Sequence, residues 1–201
     1  MKKYLIIPLV LATICQQACN NQQKKDSVES AEAVNDSTAN VKEDDSEFMT
    51  KAASGGMLEV ELGKLAQEKG ASSRVKNFGA MMVKDHTKAG DELQVLAKTK
   101  NVTLPQTLGK DHQDMFDKLK NEKGIDFDKE YMKMMVSDHK EDIEEFNDAA
   151  KEGKDADVKA FASKTLPVLT MHLDSAKAIN DAVMKMTDNA VTSGSKKFPD
   201  H

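Results

Sequence analysis

The sequence predicts an all-α protein, a bundle of long amphipathic helices. Ala, Leu, Lys, Glu and Met dominate from Glu47 to about Asn189, where β-branched and aromatic residues are sparse. Apolar residues recur every three or four positions, the period of a helix with one buried face. No short alternating runs of strand type interrupt them. With 39% hydrophobic and 31% charged residues, no Trp, two Cys and 12 Met in 201 residues, the composition suits one soluble domain. It excludes a disulfide scaffold, a collagen repeat and a polytopic membrane protein. The 29 basic and 34 acidic residues give a net charge of -5. No segment concentrates Lys or Arg with aromatics, so nothing favours nucleic acid as a partner.

The N-terminus reads as an address. Lys2 and Lys3 precede an apolar run from Tyr4 to Ile14, too short for the ~20 residues of a transmembrane helix and suited to a signal peptide over residues 1–18. Gln16-Gln17-Ala18-Cys19 has the small residue before Cys of a bacterial lipobox, although Gln16 stands where Leu is usual. The expectation is a lipidated Cys19 that holds the chain on a membrane of the cell envelope, the outer membrane first, or else a periplasmic chain, with no transmembrane helix. Loss of Lys2 and Lys3 leaves 27 basic against 34 acidic residues, a net charge of -7. Residues 19–46 are almost wholly polar and are expected to form a flexible tether.

The bundle domain is expected over residues 47–190. Phe48, Ala52, Gly55, Leu58, Leu62 and Leu65 make the first stripe, with Gly70 as a left-handed stop. Ser72-Ser73 starts a second helix to about Lys100, with Val75, Phe78, Met82, His86, Ala89, Leu93 and Leu96 inward. Thr103-Leu104-Pro105-Gln106 has the form of a capping box with an early Pro, predicting a short third helix to Lys123, ended by Gly124. Asp126 and Asp128 suit the start of a fourth helix, with Met132, Met135, Val136, His139, Ile143 and Phe146 inward and Gly153 as its stop. The fifth begins at Asp155 or Asp157 and carries the longest stripe, including Phe161, Leu169, His172 and Ile179, with a kink expected at Pro167. Residues 191–201 are expected to be a disordered tail. Two hairpins joined by a crossover helix give the ferritin-like four-helix arrangement.

Met81-Met82-Val83-Lys84-Asp85-His86 is echoed by Met134-Met135-Val136-Ser137-Asp138-His139, which suggests a duplicated hairpin. His86 lies about 24 Å along its helix from the Gly70 turn, and His139 and His172 lie roughly 21 and 27 Å from the turn at Gly153, at 1.5 Å per residue. The three imidazoles can therefore meet near mid-bundle. With Asp85, Asp138 and Asp142 nearby, and Glu59 or Glu61 from the first helix, they form a candidate site for Cu, Zn or Fe. Met82, Met135 and Met171 offer thioethers for a softer, copper(I) version. The competing reading is three core histidines bonded to Asp, Thr165 or Tyr131, with methionines as packing. The residues three before each His are Val83, Val136 and Leu169, so the Glu-x-x-His of a ferritin-type di-iron centre is absent. His112 is expected to face solvent.

These residues resemble the bacterial domain-of-unknown-function 4142 family, often labelled predicted outer-membrane proteins and grouped with ferritin-like folds. The resemblance rests on Leu62-Gly63-Lys64-Leu65-Ala66, Met82-Val83-Lys84-Asp85-His86-Thr87, Gly124-Ile125-Asp126-Phe127-Asp128-Lys129-Glu130-Tyr131, His139, Phe161-Ala162 and Leu166-Pro167-Val168-Leu169-Thr170-Met171-His172-Leu173. It covers about residues 47–182. It implies an exported helical bundle with the three histidines among recurring positions, and it implies no reaction. The domain also lacks a nucleophile motif, a phosphate loop and Cys-x-x-Cys, so no enzyme class is indicated. Three functions stay open: a tethered structural or stress-related interaction module without an identified protein partner, a metal-handling protein, and a small-molecule binder.

Overall fold

The structure, a computed structural model, describes residues 25–187. Among them are six helices: α1 (Ser27–Thr38), α2 (Glu43–Lys69), α3 (Ser73–Lys100), α4 (Lys110–Leu119), α5 (Gly124–Glu152) and α6 (Ala156–Val183). The hairpins α2/α3 and α5/α6 pack together as a four-helix bundle, α2 against α5 and α3 against α6. No helix among the described residues is long and apolar enough to cross a membrane. Cys19 and the tail at 191–201 lie outside the described residues.

Two buried aspartates hold the hairpins in register. Asp128, at the start of α5, accepts from the backbone N–H groups of Ala71 and Ser72 in the α2–α3 turn. Asp45, at the start of α2, accepts from Lys154 and Asp155 in the α5–α6 turn. Each carboxylate thus satisfies donors at the start of a helix belonging to the other hairpin. Because α2 begins where α5 ends, the two run antiparallel, and residues 101–123 must traverse the bundle between α3 and α5. The same interval separates Asp45 from Asp128, Gly70 from Gly153, and Glu59 from Asp142. The Met81–His86 echo instead equates α3 with α5, the second helix of one hairpin with the first of the other. It does not trace a hairpin duplication.

Within α2/α3 the backbones touch. A Cβ on Gly63 would lie 2.7 Å from the Gly79 carbonyl oxygen, and one on Gly79 would lie 2.6 Å from that of Gly63. Only glycine admits this approach. Gly70 and Gly153 are extended at φ -53° and -48°, so Gly70 is not the left-handed stop expected, and Gly153 ends α5 without one. They are needed because a Cβ would meet the carbonyl of Ala66 or Ala149. Among the described glycines the positive φ belongs to Gly124, which opens α5 instead of closing α4.

Residues 26–46 are not a plain tether over their described length. Asp26 caps α1 through Val28 and Glu29 and also accepts from the Lys110 backbone. Buried Asn35 brackets Thr103, donating to its carbonyl and accepting from its N–H. Polar side chains here act by directed hydrogen bonds to distant backbone, which composition does not register. The same bracket explains why the apparent capping box at Thr103 starts no helix: Thr103 is tied to α1, Val102 is buried, and α4 begins only at Lys110. α6 continues through Pro167.

Asp45→Ala and Asp128→Ala should each lower unfolding free energy by about 1–3 kcal/mol, the cost of leaving buried donors unmatched. The sites lie at opposite ends of the bundle, so the double variant should be additive within about 0.5 kcal/mol in urea denaturation.

Candidate metal centre

The apolar core has two parts. One contains Leu58, Leu62, Phe78, Met82, Tyr131 and Met135; the other contains Phe48, Met49, Leu93, Phe146, Phe161 and Leu169. Along α3, α5 and α6 the three histidines fall between these parts: His86 between Met82 and Leu93, His139 between Met135 and Phe146, His172 between Leu169 and Ala176. Helical spacing alone puts them inward. The turns at Gly70 and Gly153 put them at one level.

All three are buried, His139 and His172 completely. One ring nitrogen of each lies within 4.8 Å of one from each of the others, and ring centroids are 5.2–5.7 Å apart. Each ring has one nitrogen facing an acceptor. His86 Nδ1 lies 2.6 Å from Glu59 Oε2, His139 Nδ1 lies 3.0 Å from the Met135 carbonyl oxygen, and His172 Nε2 lies 3.1 Å from Asp85 Oδ2. The opposite nitrogens, His86 Nε2, His139 Nε2 and His172 Nδ1, are buried with no hydrogen-bond partner among the described residues. A neutral imidazole has one donor and one acceptor nitrogen. Where the facing oxygen is an acceptor, as the Met135 carbonyl is for His139, the proton sits on that nitrogen and the lone pair on the other, the arrangement that protein ligands to a metal characteristically have.

Of the two acids on α2 that the sequence left open, Glu59 points inward at 1% exposure, while Glu61 is exposed and paired with Lys64. Glu59 Oε1 is also 3.2 Å from His139 Nδ1. Glu59, His139 and Asp142 form a second group of possible ligand atoms within 4.8 Å. Asp85 serves His172, a residue on another helix. Asp138 is buried beside His86, with Oδ2 unpartnered. Met82 and Met135 are fully buried in the first part of the core; Met135 reaches the centre through its carbonyl. Met171 is 43% exposed and contacts the Ser175 hydroxyl. It faces away from His172's buried surroundings, which removes it from the thioether set.

His112 does not face solvent as expected. It is half-buried, and its Nδ1 lies 2.6 Å from the buried Ser54 hydroxyl, which also accepts from Gly109 N–H. This pair fastens the start of α4 to α2. Neither Ser54 nor the Asn35 bracket has a periodic signal in the sequence, since each works through a partner far away along the chain.

Burial dominates the electrostatics. It pulls His86 and His172 down to about 4 and His139 to about 3, so the imidazoles are uncharged at neutral pH. Burial and then neighbouring acids push Glu59 and Asp142 well above the carboxylate range. Asp138 rises to about 6 by burial and by Glu141. A cation bound there would take up the imidazole lone pairs and draw the neighbouring acids toward their ionised form.

The histidines also predict a pH dependence. The unfolded chain takes up their protons near pH 6.5, whereas the folded protein resists until about 4 or 3. Their contribution is present above pH 6.5 and is lost as pH falls through the folded values. Replacing His86, His139 and His172 by Gln should therefore reduce the fall in thermal midpoint between pH 7 and pH 4.5, measured on metal-free protein.

With 12% sequence identity and a TM-score of 0.59, the structure is similar to CopM in its copper(II)-bound form, over 69% of this chain and 96% of that one. At this identity the likeness is one of fold. No curated protein matches the sequence. The family described as a domain of unknown function, DUF4142, matches residues 30–179. That span begins inside α1 and includes Glu59 and all three histidines. The chain belongs to the DUF4142 family.

Proposed function

We propose that the domain binds one transition-metal ion on His86, His139 and His172 and handles that metal in the cell envelope, to which a lipid on Cys19 tethers it. The observation that carries this reading is the trio of buried imidazole nitrogens without partners among the described residues, each opposite a ring nitrogen that faces a carboxyl or carbonyl oxygen. Glu59, the Met135 carbonyl and Asp85 orient the ligands and are not themselves required as ligands. Three neutral imidazoles suit Cu, Zn, Fe or Ni. Among divalent ions competing for a nitrogen site, Cu(II) binds most strongly, and the fold likeness to a protein solved with copper(II) supports copper as the first metal to test. A metal-handling role needs no catalytic nucleophile.

The test is elemental analysis of protein exported to a periplasm and purified without chelator, beside a His86→Ala/His139→Ala/His172→Ala variant. The expected result is near-stoichiometric Cu, Zn or Fe in the parent and none in the variant, with helicity retained. Added metal at a hundred times its Kd should stabilise the apo-protein by about 2.7 kcal/mol, or roughly 5–11 °C in thermal midpoint for a domain of this size. Metal-free protein that gains no stability from Cu, Zn or Fe overturns the reading.

A further inference from the structure

A cavity of about 620 Å³ opens beside the histidine layer. Phe116, Phe146, Phe161, Leu93 and Leu169 are among its walls. A bound ion needs neither this volume nor these walls; they match the pockets that hold small organic molecules. The ionisable groups in its lining are Glu59, Glu61, Asp91, Asp142 and His86, with no Lys or Arg. An anionic guest therefore has no counter-charge there.

Two glycines border this space. Gly56 in α2 and Gly90 in α3 both line the cavity, and a Cβ at either would meet nothing within 4 Å. Glycine inside a helix costs about 1 kcal/mol relative to alanine. At Gly63 and Gly79 the backbone contact accounts for that cost. At Gly56 and Gly90 no packing contact does.

Polar recognition centres on Glu59 and Asp142. One carboxylate oxygen of each lies within 4.8 Å of the other, and Glu59 Oε1 is buried without a hydrogen-bond partner among the described residues. An ammonium nitrogen about 2.8 Å from two oxygens at a tetrahedral angle spans about 4.6 Å between them. We propose that this cavity binds a small amphiphilic amine, its ammonium held between Glu59 and Asp142 and its hydrocarbon part against the apolar walls. The site uses none of the three free imidazole nitrogens, although Glu59 is shared with the support of His86.

The test is calorimetric titration of chelator-treated protein with n-octylamine, methylamine, octanoate and 1-octanol at pH 7. The expected result is one octylamine per chain, with each of the other three at least tenfold weaker. Gly56→Leu, which adds a side chain at the cavity wall, should abolish octylamine binding while leaving the metal content of the purified protein unchanged. Glu59→Gln/Asp142→Asn should weaken octylamine at least tenfold and leave octanol unaffected, with helicity checked by circular dichroism. No octylamine binding, equal binding of octanoate or octanol, equal binding of methylamine, or binding that survives Gly56→Leu overturns the proposal. Because metal content is read separately, failure of the amine site is distinguishable from failure of the metal reading.

Discussion

Three buried imidazoles in a bundle core bring six ring nitrogens together. The protein supplies acceptors for three of them, from Glu59, the Met135 carbonyl and Asp85. Among the described residues it supplies no donor for the other three. A buried polar atom left unmatched costs about 1–3 kcal/mol, and three together are a large fraction of the stability of a typical domain. The asymmetry is chemically coherent, since at His139 and His172 the satisfied nitrogen faces an acceptor and carries the proton, and at His86 it does so with Glu59 ionised, which leaves a lone pair on each unmatched nitrogen. A core built only for packing has little reason to meet that condition at all three rings.

The bundle's fixed points explain how the rings reach one another. Gly63 and Gly79 let α2 and α3 cross in backbone contact. Glu59 lies one turn before Gly63 and His86 two turns after Gly79, so that crossing fixes the reach of Glu59 to His86. Asp45 and Asp128 then lock the hairpins together from opposite ends, which aligns His139 and His172 with the α3 ring. Short-range chemistry in the centre thus depends on contacts several turns away. The same geometry leaves one flank of the histidine layer open to the cavity that Gly56 and Gly90 border.

Much of this was legible in the sequence because it depends on helical period and length. The apolar stripes located the four long helices, and counting residues from Gly70 and Gly153 put His86, His139 and His172 at one depth. Choosing Glu59 over Glu61 was beyond that counting, because the stripe on α2 includes small residues and does not define its phase sharply. The pairing of Asp85 with His172 was equally hidden, since its partner sits on another helix. α1 escaped notice for a different reason: Asp26 and Asn35 hold it by hydrogen bonds to backbone near Lys110 and Thr103, and such bonds leave no hydrophobic pattern. The Thr103 capping box misled because a local motif lost to that longer-range bracket.

The most direct test of the central claim is X-ray absorption spectroscopy of the protein loaded with one equivalent of copper(II), and separately of zinc. The account predicts a first shell containing three imidazole nitrogens at about 2.0–2.1 Å for zinc, with the outer-shell scattering of histidine rings in both samples. A first shell of oxygen alone, without imidazole scattering, would contradict it and return the three histidines to the packing of the core.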